Sequence, residues 1–293
     1  MQLGNYELDD IYCGDSAVML AGLPDGCIDL VVTSPPYDDM DDDFNPLPSR
    51  GLRQYNGYTW NFKDLARQLY RTLKPGGVVV WVVGDPTING SESLASSLQK
   101  IYFRRIGFNL HDTMIYERHP LPLTHNRYEQ HFEYMFVFCK GSPKSFNPIM
   151  VASSNGNQKT GGRHTSASAK ENSARASVKD YYRIAPTKMS GNIWRYITGN
   201  DEKTAYQHPA VFPESLARDH IISWSNPGDI ILDPFAGSGT TAKMSKVLSR
   251  HWLGFDISEE YVTLAKKRVE YAPTPLPLFV ENGQPKAEQT TLF

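Results

Sequence analysis

Asp233-Pro-Phe-Ala-Gly-Ser-Gly-Thr-Thr241 lies between the apolar run Ile230-Ile-Leu232 and a segment of helical pattern, so it reads as the turn from a β-strand into an α-helix. Gly237 and Gly239 permit close backbone approach, and Thr240 or Thr241 is expected to cap the helix, whose free N–H groups favour an anion. Asp256 ends the next short strand, Trp252 to Phe255, nineteen residues after Gly237, where a carboxylate usually grips ribose hydroxyls. The stretch therefore predicts a nucleoside-ligand site at a strand tip of an α/β fold. Gly237-Ser-Gly-Thr-Thr-Ala242 also satisfies the dinucleotide fingerprint G-x-G-x-x-A, which keeps a nicotinamide-dependent oxidoreductase open, and a plain tight turn is the blander reading. Asp233 weighs against a dinucleotide, because a buried acid there repels a pyrophosphate and suits an ammonium group. No Gly-Lys-Ser/Thr closes the motif, so a Walker loop is excluded.

On the N-terminal side, Ile28-Asp-Leu-Val-Val-Thr33 and Val78-Val-Val-Trp-Val-Val83 read as buried parallel strands. Between them a helix is expected over Asn61 to Leu73, with Phe62, Leu65, Ala66, Leu69 and Leu73 at helical spacing and the stop signal Lys74-Pro-Gly-Gly77. A further helix is expected from about Ser91 to Tyr102 and a strand at Tyr134 to Phe138. Helices are expected from Pro213, with Leu216, His220, Ile221 and Trp224, and from Ser258 to about Glu270. Gly141 to Gly191 is rich in Ser, Asn, Gly and Lys and shows no core element. This divides the chain into 1–140, 141–191, 192–272 and a Pro-rich, polar tail, 273–293.

Directly after the first strand comes Thr33-Ser-Pro-Pro-Tyr37. Two successive prolines forbid helix and remove two backbone donors, leaving the carbonyls of Ser34 and Pro35 as fixed acceptors, while Tyr37 offers a flat face. A rigid turn with a packed tyrosine is the alternative, but the carboxyl edge of a parallel strand is where α/β ligands gather. Ser34-Pro-Pro-Tyr37 together with Asp233-Pro-Phe-Ala-Gly-Ser-Gly239 resembles the DNA amino-methyltransferases of cytosine N4 and adenine N6. The catalytic motif precedes the cofactor motif with a basic stretch between them, which is similar to the circularly permuted β class. The resemblance runs from about Cys13 to Arg268, outside the insert.

It implies a Rossmann-like class I methyltransferase fold, a mostly parallel sheet with helices on both faces and an inserted target-recognition region, using S-adenosylmethionine. Asp15 would then contact the adenine, Asp256 the ribose and Asp233 the methionine ammonium, with Pro234, Phe235, Ala236, Gly237, Ser238, Gly239, Thr240 and Thr241 forming the loop. His208, in His208-Pro-Ala-Val-Phe-Pro213, belongs to the segment that closes the methionine pocket in that class. Ser34 and the Pro35 carbonyl would bond the amino hydrogens of the target base, Pro36 would fix the turn, and Tyr37 would stack on a base flipped out of double-stranded DNA. Ser rather than Asp or Asn before Pro-Pro-Tyr favours cytosine N4; adenine N6 is the alternative, and a DNA-binding module without catalysis is a third. The acidic run Asp38-Asp39 and Asp41-Asp-Asp43 departs from this picture and reads as a solvated surface.

Net charge is −2, so a nucleic-acid footprint must be local. Between Val151 and Asn200 the basic residues Lys159, Arg163, Lys170, Arg175, Lys179, Arg183, Lys188 and Arg195 face only Glu171 and Asp180, which makes the insert the expected DNA reader. No apolar run approaches the roughly 20 residues that span a bilayer, and the start shows no secretory pattern, so no membrane partner and a cytoplasmic location are expected. Cys13, Cys27 and Cys139 form no C-x-x-C pair and are expected to be buried or inert, with neither disulfide framework nor metal site. The resemblance leaves room for a homodimer and a companion restriction endonuclease; the sequence decides neither.

Overall fold

The computed structural model describes residues 1–36, 61–88, 90–118, 127–156, 159–161, 181–196 and 213–273. They fall into two compact units, one formed by residues 1–147 and 192–293, the other by 148–191. The larger unit is built on eight strands: β1 (Asp10–Cys13), β2 (Ile28–Thr33), β3 (Leu73–Val83), β4 (Asn109–Glu117), β5 (Phe132–Cys139), β6 (Ile193–Arg195), β7 (Ile230–Asp233) and β8 (His251–Asp256). Their order across the sheet is β6-β4-β5-β3-β2-β7-β8-β1. The five strands from β3 to β1 are mutually parallel. β5 runs antiparallel to both β3 and β4, and β6 is parallel to β4.

Among the described residues six helices cover the sheet: α1 (Ser16–Ala21), α2 (Phe62–Thr72), α3 (Ala95–Arg105), α4 (Glu214–Trp224), α5 (Thr240–Val247) and α6 (Glu259–Glu270). Strand β3 shows why both faces are covered. Val79, Trp81 and Val83 pack with Leu20, Leu65, Leu69 and Phe103 of α1, α2 and α3, whereas Val78, Val80 and Val82 pack with Leu216, Ile221 and Met244 of α4 and α5. Successive side chains point to opposite faces, so a strand buried twice must be apolar throughout. Every residue of β2 is likewise buried. The expected α/β architecture with helices on both faces is present.

Val78–Val83 is parallel to β2, as expected, and antiparallel to its other neighbour, β5. One boundary changes. The helix expected from Ser91 starts at Ala95 instead, because Ser91–Glu92 pairs antiparallel with Thr87–Ile88. Asp85 then supplies the cap: its Oδ1 accepts the Ser96 N–H at 2.9 Å, and satisfying a free helix-end donor fixes where the helix begins. Cys27 and Cys139 are buried and Cys13 is exposed, since Cys13 ends β1 at the sheet's edge. All three thiols are free.

In the smaller unit Met150–Ala152 pairs with Thr187–Met189 and Lys159–Gly161 with Tyr181–Arg183, both antiparallel. Among its described side chains none is buried. No helix among the described residues is long and apolar enough to cross a membrane.

Candidate functional site

The carboxyl ends of four neighbouring parallel strands lie side by side in the order β1, β8, β7, β2, and each carries residues singled out from the sequence. Asp15 follows β1 and caps α1, its Oδ1 accepting the Val18 N–H at 3.0 Å. Asp256 closes β8, with Oδ2 accepting from Gly237 N at 2.8 Å and Oδ1 from Ser258 N at 2.9 Å. Asp233 closes β7 and Thr33-Ser-Pro-Pro36 leaves β2. Ser34 and Pro36 are half-buried and Pro35 is buried.

Hydrogen bonds lace these tips together. Thr33 Oγ1 donates to Asp233 Oδ1 at 2.7 Å, across 200 residues of chain. Thr241 Oγ1 donates to the Val32 carbonyl at 3.0 Å. Ala236 N donates to the Phe255 carbonyl at 2.8 Å and Gly14 N to the Asp256 carbonyl at 2.8 Å, while Ser16 Oγ donates to the Pro234 carbonyl. The two motifs, far apart in sequence, thus share one edge of the sheet.

The threonine caps expected for α5 are absent. Its N-cap is Gly239, at φ +78° and without a side-chain cap bond, because the Thr241 hydroxyl is committed to β2 and Thr240 Oγ1 accepts from Arg268 at 3.4 Å. A Cβ at Gly239 would come within 2.8 Å of Ala265 Cβ, so the glycine is required by packing against α6 as well as by its backbone angle. Gly237 also has positive φ, +50°.

Asp233 is 2% exposed. Burial pushes its carboxyl up to about 6, against the lowering effect of bonds from Thr33 and the Phe235 N–H. A carboxylate so placed gains most from a cation, and the strand tips on its β8 side present Asp256 and Asp15 as hydroxyl and amine acceptors. Pro234, Phe235, Ala236 and Ser238 complete the turn; Ala236 and Ser238 are buried. The donor set fits a ligand with a cationic end and a nucleoside end. Sequence reasoning passed over Thr33, Ser16 and Arg268 as site residues. Arg268 was detectable, since it falls on the same α6 stripe as the buried Val262 and Ala265.

Tyr37 and His208 lie outside the described residues, as do Arg163, Lys170, Arg175 and Lys179. Of the other basic residues, Lys159 and Arg183 are register partners in their ladder and Lys188 is exposed. Arg195 is on β6 of the larger unit and pairs with Glu117.

Comparison with known proteins places this geometry. The chain is 46% identical over 275 residues to the orphan methyltransferase M.BamHII of Bacillus amyloliquefaciens, covering 86% of this chain and 92% of that protein. It is 29% identical to the type II methyltransferase M.BglII of Bacillus subtilis, over 88% of this chain and 68% of the other. In fold it resembles the cytosine-N4-specific PvuII DNA methyltransferase, with a TM-score of 0.62, 20% identity and coverage of 94% and 87%. A Thermus thermophilus protein solved with S-adenosyl-L-methionine gives 0.58 at 22% identity, over 90% and 94%. The N6/N4 family model described as DNA methylase matches residues 28–267, a span that takes in both strand-tip motifs and the insert between them, and the chain belongs to that family.

Proposed function

We propose that the chain methylates the N4 amino group of cytosine at specific sites in double-stranded DNA, with S-adenosylmethionine as methyl donor. The observation that carries this reading is the 2.7 Å bond from Thr33 to Asp233, which puts Ser34-Pro-Pro36 one strand away from the buried acid. When bound, the donor supplies an electrophilic methyl group on a sulfonium. Asp15 and Asp256 hold the adenosine end, Asp233 holds the ammonium, and the turn from Pro234 to Thr241 encloses the amino-acid portion. These acids span three strand spacings ending at Ser34, about 14 Å at roughly 4.8 Å each.

An exocyclic amine conjugated to its ring is a poor nucleophile, because its lone pair is delocalised. Ser34 Oγ and the Pro35 carbonyl accept hydrogen bonds from its two N–H groups, pyramidalise the nitrogen and aim the lone pair. The chain's contribution is positioning and preorganised acceptors, and no covalent enzyme intermediate is needed. Tyr37 stacks the flipped base, and aromatic stacking of this kind is worth about 1–3 kcal/mol.

The insert reads the DNA. Lys159 and Arg183, register partners in a ladder, are two of the cations that would neutralise phosphate. Lys188, Arg163, Lys170, Arg175 and Lys179 extend the basic stretch, while Arg195 is already paired with Glu117 and contributes less. Mass spectrometry of nucleosides after reaction on unmethylated DNA tests the assignment. N4-methylcytosine is expected; N6-methyladenine as the product would replace it with the family's other chemistry.

A further inference from the structure

Behind the glycine turn lies a cluster that the reaction, as described, does not use. Arg268 of α6 is 3% exposed and Lys243 of α5 is 4% exposed. Both reach one oxygen, Oε1 of Glu214, the first residue of α4: Arg268 Nη2 at 2.8 Å and Lys243 Nζ at 2.8 Å. The other arm of the guanidinium, Nη1, donates to the Ser238 carbonyl at 2.5 Å, to Ser238 Oγ at 2.8 Å and to Thr240 Oγ1 at 3.4 Å. One planar group therefore ties the turn from Ser238 to Thr240 to the start of α4.

Both buried cations reach the same carboxylate oxygen. An arrangement of this kind is poor value for stability, since desolvating each charge costs several kcal/mol and apolar packing would serve the fold as well or better. What an apolar side chain could not do is hold three acceptors of one turn in fixed positions. A lysine in place of Arg268 lacks the planar fork and cannot bond the turn and Glu214 in the same geometry. By occupying the carbonyl and hydroxyl of Ser238, Arg268 fixes which face of that turn is left for a ligand.

We infer that Arg268, oriented by Glu214 and Lys243, is a positioning residue that holds the glycine turn in its donor-binding shape. The inference rests on the assignment of this turn to S-adenosylmethionine. It also links α4, which follows the segment 208–213, to the turn through two side chains.

The test compares four variants and one control variant of the full chain by calorimetric titration with S-adenosylmethionine, by steady-state KM for donor and DNA, and by thermal unfolding. R268M is expected to weaken donor binding at least 20-fold while the KM for DNA stays within twofold, and R268K to fall between it and the parent. E214Q removes the carboxylate that both cations reach and is expected to weaken donor binding at least tenfold; E214Q combined with K243M, which also removes one of the two cations, should recover part of that loss. The control is K246M, which cuts another tie between α5 and α6, the 2.7 Å bond from Lys246 Nζ to the Val269 carbonyl, without touching the turn. It should lower the melting temperature and leave donor affinity within twofold. The inference is overturned if R268M and R268K behave as K246M does, or if donor and DNA constants worsen alike. Failure of the unaltered protein to bind S-adenosylmethionine would instead remove the donor assignment beneath it.

Discussion

Asp233 is held at a cost to the fold. Its carboxyl is raised to about 6 chiefly by burial, so the stability it allows at low pH is lost as pH rises through 6, and at neutral pH the protein carries an ionised, desolvated acid worth about 2–3 kcal/mol of lost stability. A bound cation reverses that sign. D233N is therefore expected to melt no lower than the parent at pH 8, since the amide oxygen can still accept from Thr33 and the Phe235 N–H, and to bind S-adenosylmethionine at least 100-fold more weakly. For the unaltered protein, donor affinity should weaken about tenfold between pH 7 and pH 5, as Asp233 takes up a proton; D233N should show no such slope. Titration calorimetry at three pH values decides, and a flat profile in the parent would remove the ammonium role of Asp233. Ser34 poses the complementary question at the acceptor end. S34A, which deletes one of the two acceptors proposed for the target amine, should lower kcat roughly 100-fold while the donor's Kd changes less than twofold.

Where α5 meets α6, the turn geometry is set by close approach rather than by capping. Gly239 combines φ +78° with a virtual Cβ 2.8 Å from Ala265 Cβ, so G239A should cost roughly 2–4 kcal/mol, part from the left-handed backbone and part from overpacking. Adding A265G relieves only the second part, and chemical denaturation should show partial recovery; no recovery would mean that the clash is not what the glycine avoids. The apolar periods were enough to locate α2, α4 and α6 in the sequence, because each buries one stripe and begins at a readable signal such as Asn61 or Ser258. The start of α3 was not readable, since it depends on a carboxylate ten residues upstream and on a short hairpin without hydrophobic patterning. The threonines beside Gly239 misled for a related reason: a hydroxyl that looks like a cap is more use bridging to Val32.

Across the whole chain, what the sequence could not disclose is adjacency. Thr33 and Asp233 are 200 residues apart and share a hydrogen bond; Glu214, Lys243 and Arg268 come from three helices and meet on one oxygen. Strand pairing follows from which apolar faces close over which helices, and no local pattern encodes that choice. The resemblance gave the two motifs roles in one reaction as an expectation, and the strand order β1-β8-β7-β2 supplies the adjacency this needs. Since the proposed site draws on both ends of the chain, donor binding should be felt at all four tips at once. At 100 times its Kd the donor adds about 2.7 kcal/mol to global stability, but the local signature is sharper. Hydrogen exchange with S-adenosylmethionine should slow together at Gly14 to Ser16, Thr33 to Ser34, Phe235 to Thr241 and Asp256 to Ser258, four separate stretches of sequence. The ladder Met150–Ala152 with Thr187–Met189 should exchange unchanged until DNA is added, because its described residues are exposed and none belongs to the donor site. Protection confined to Phe235 to Thr241 would mean that the glycine turn binds its ligand alone, and that the β1 and β2 tips are neighbours of the site rather than parts of it.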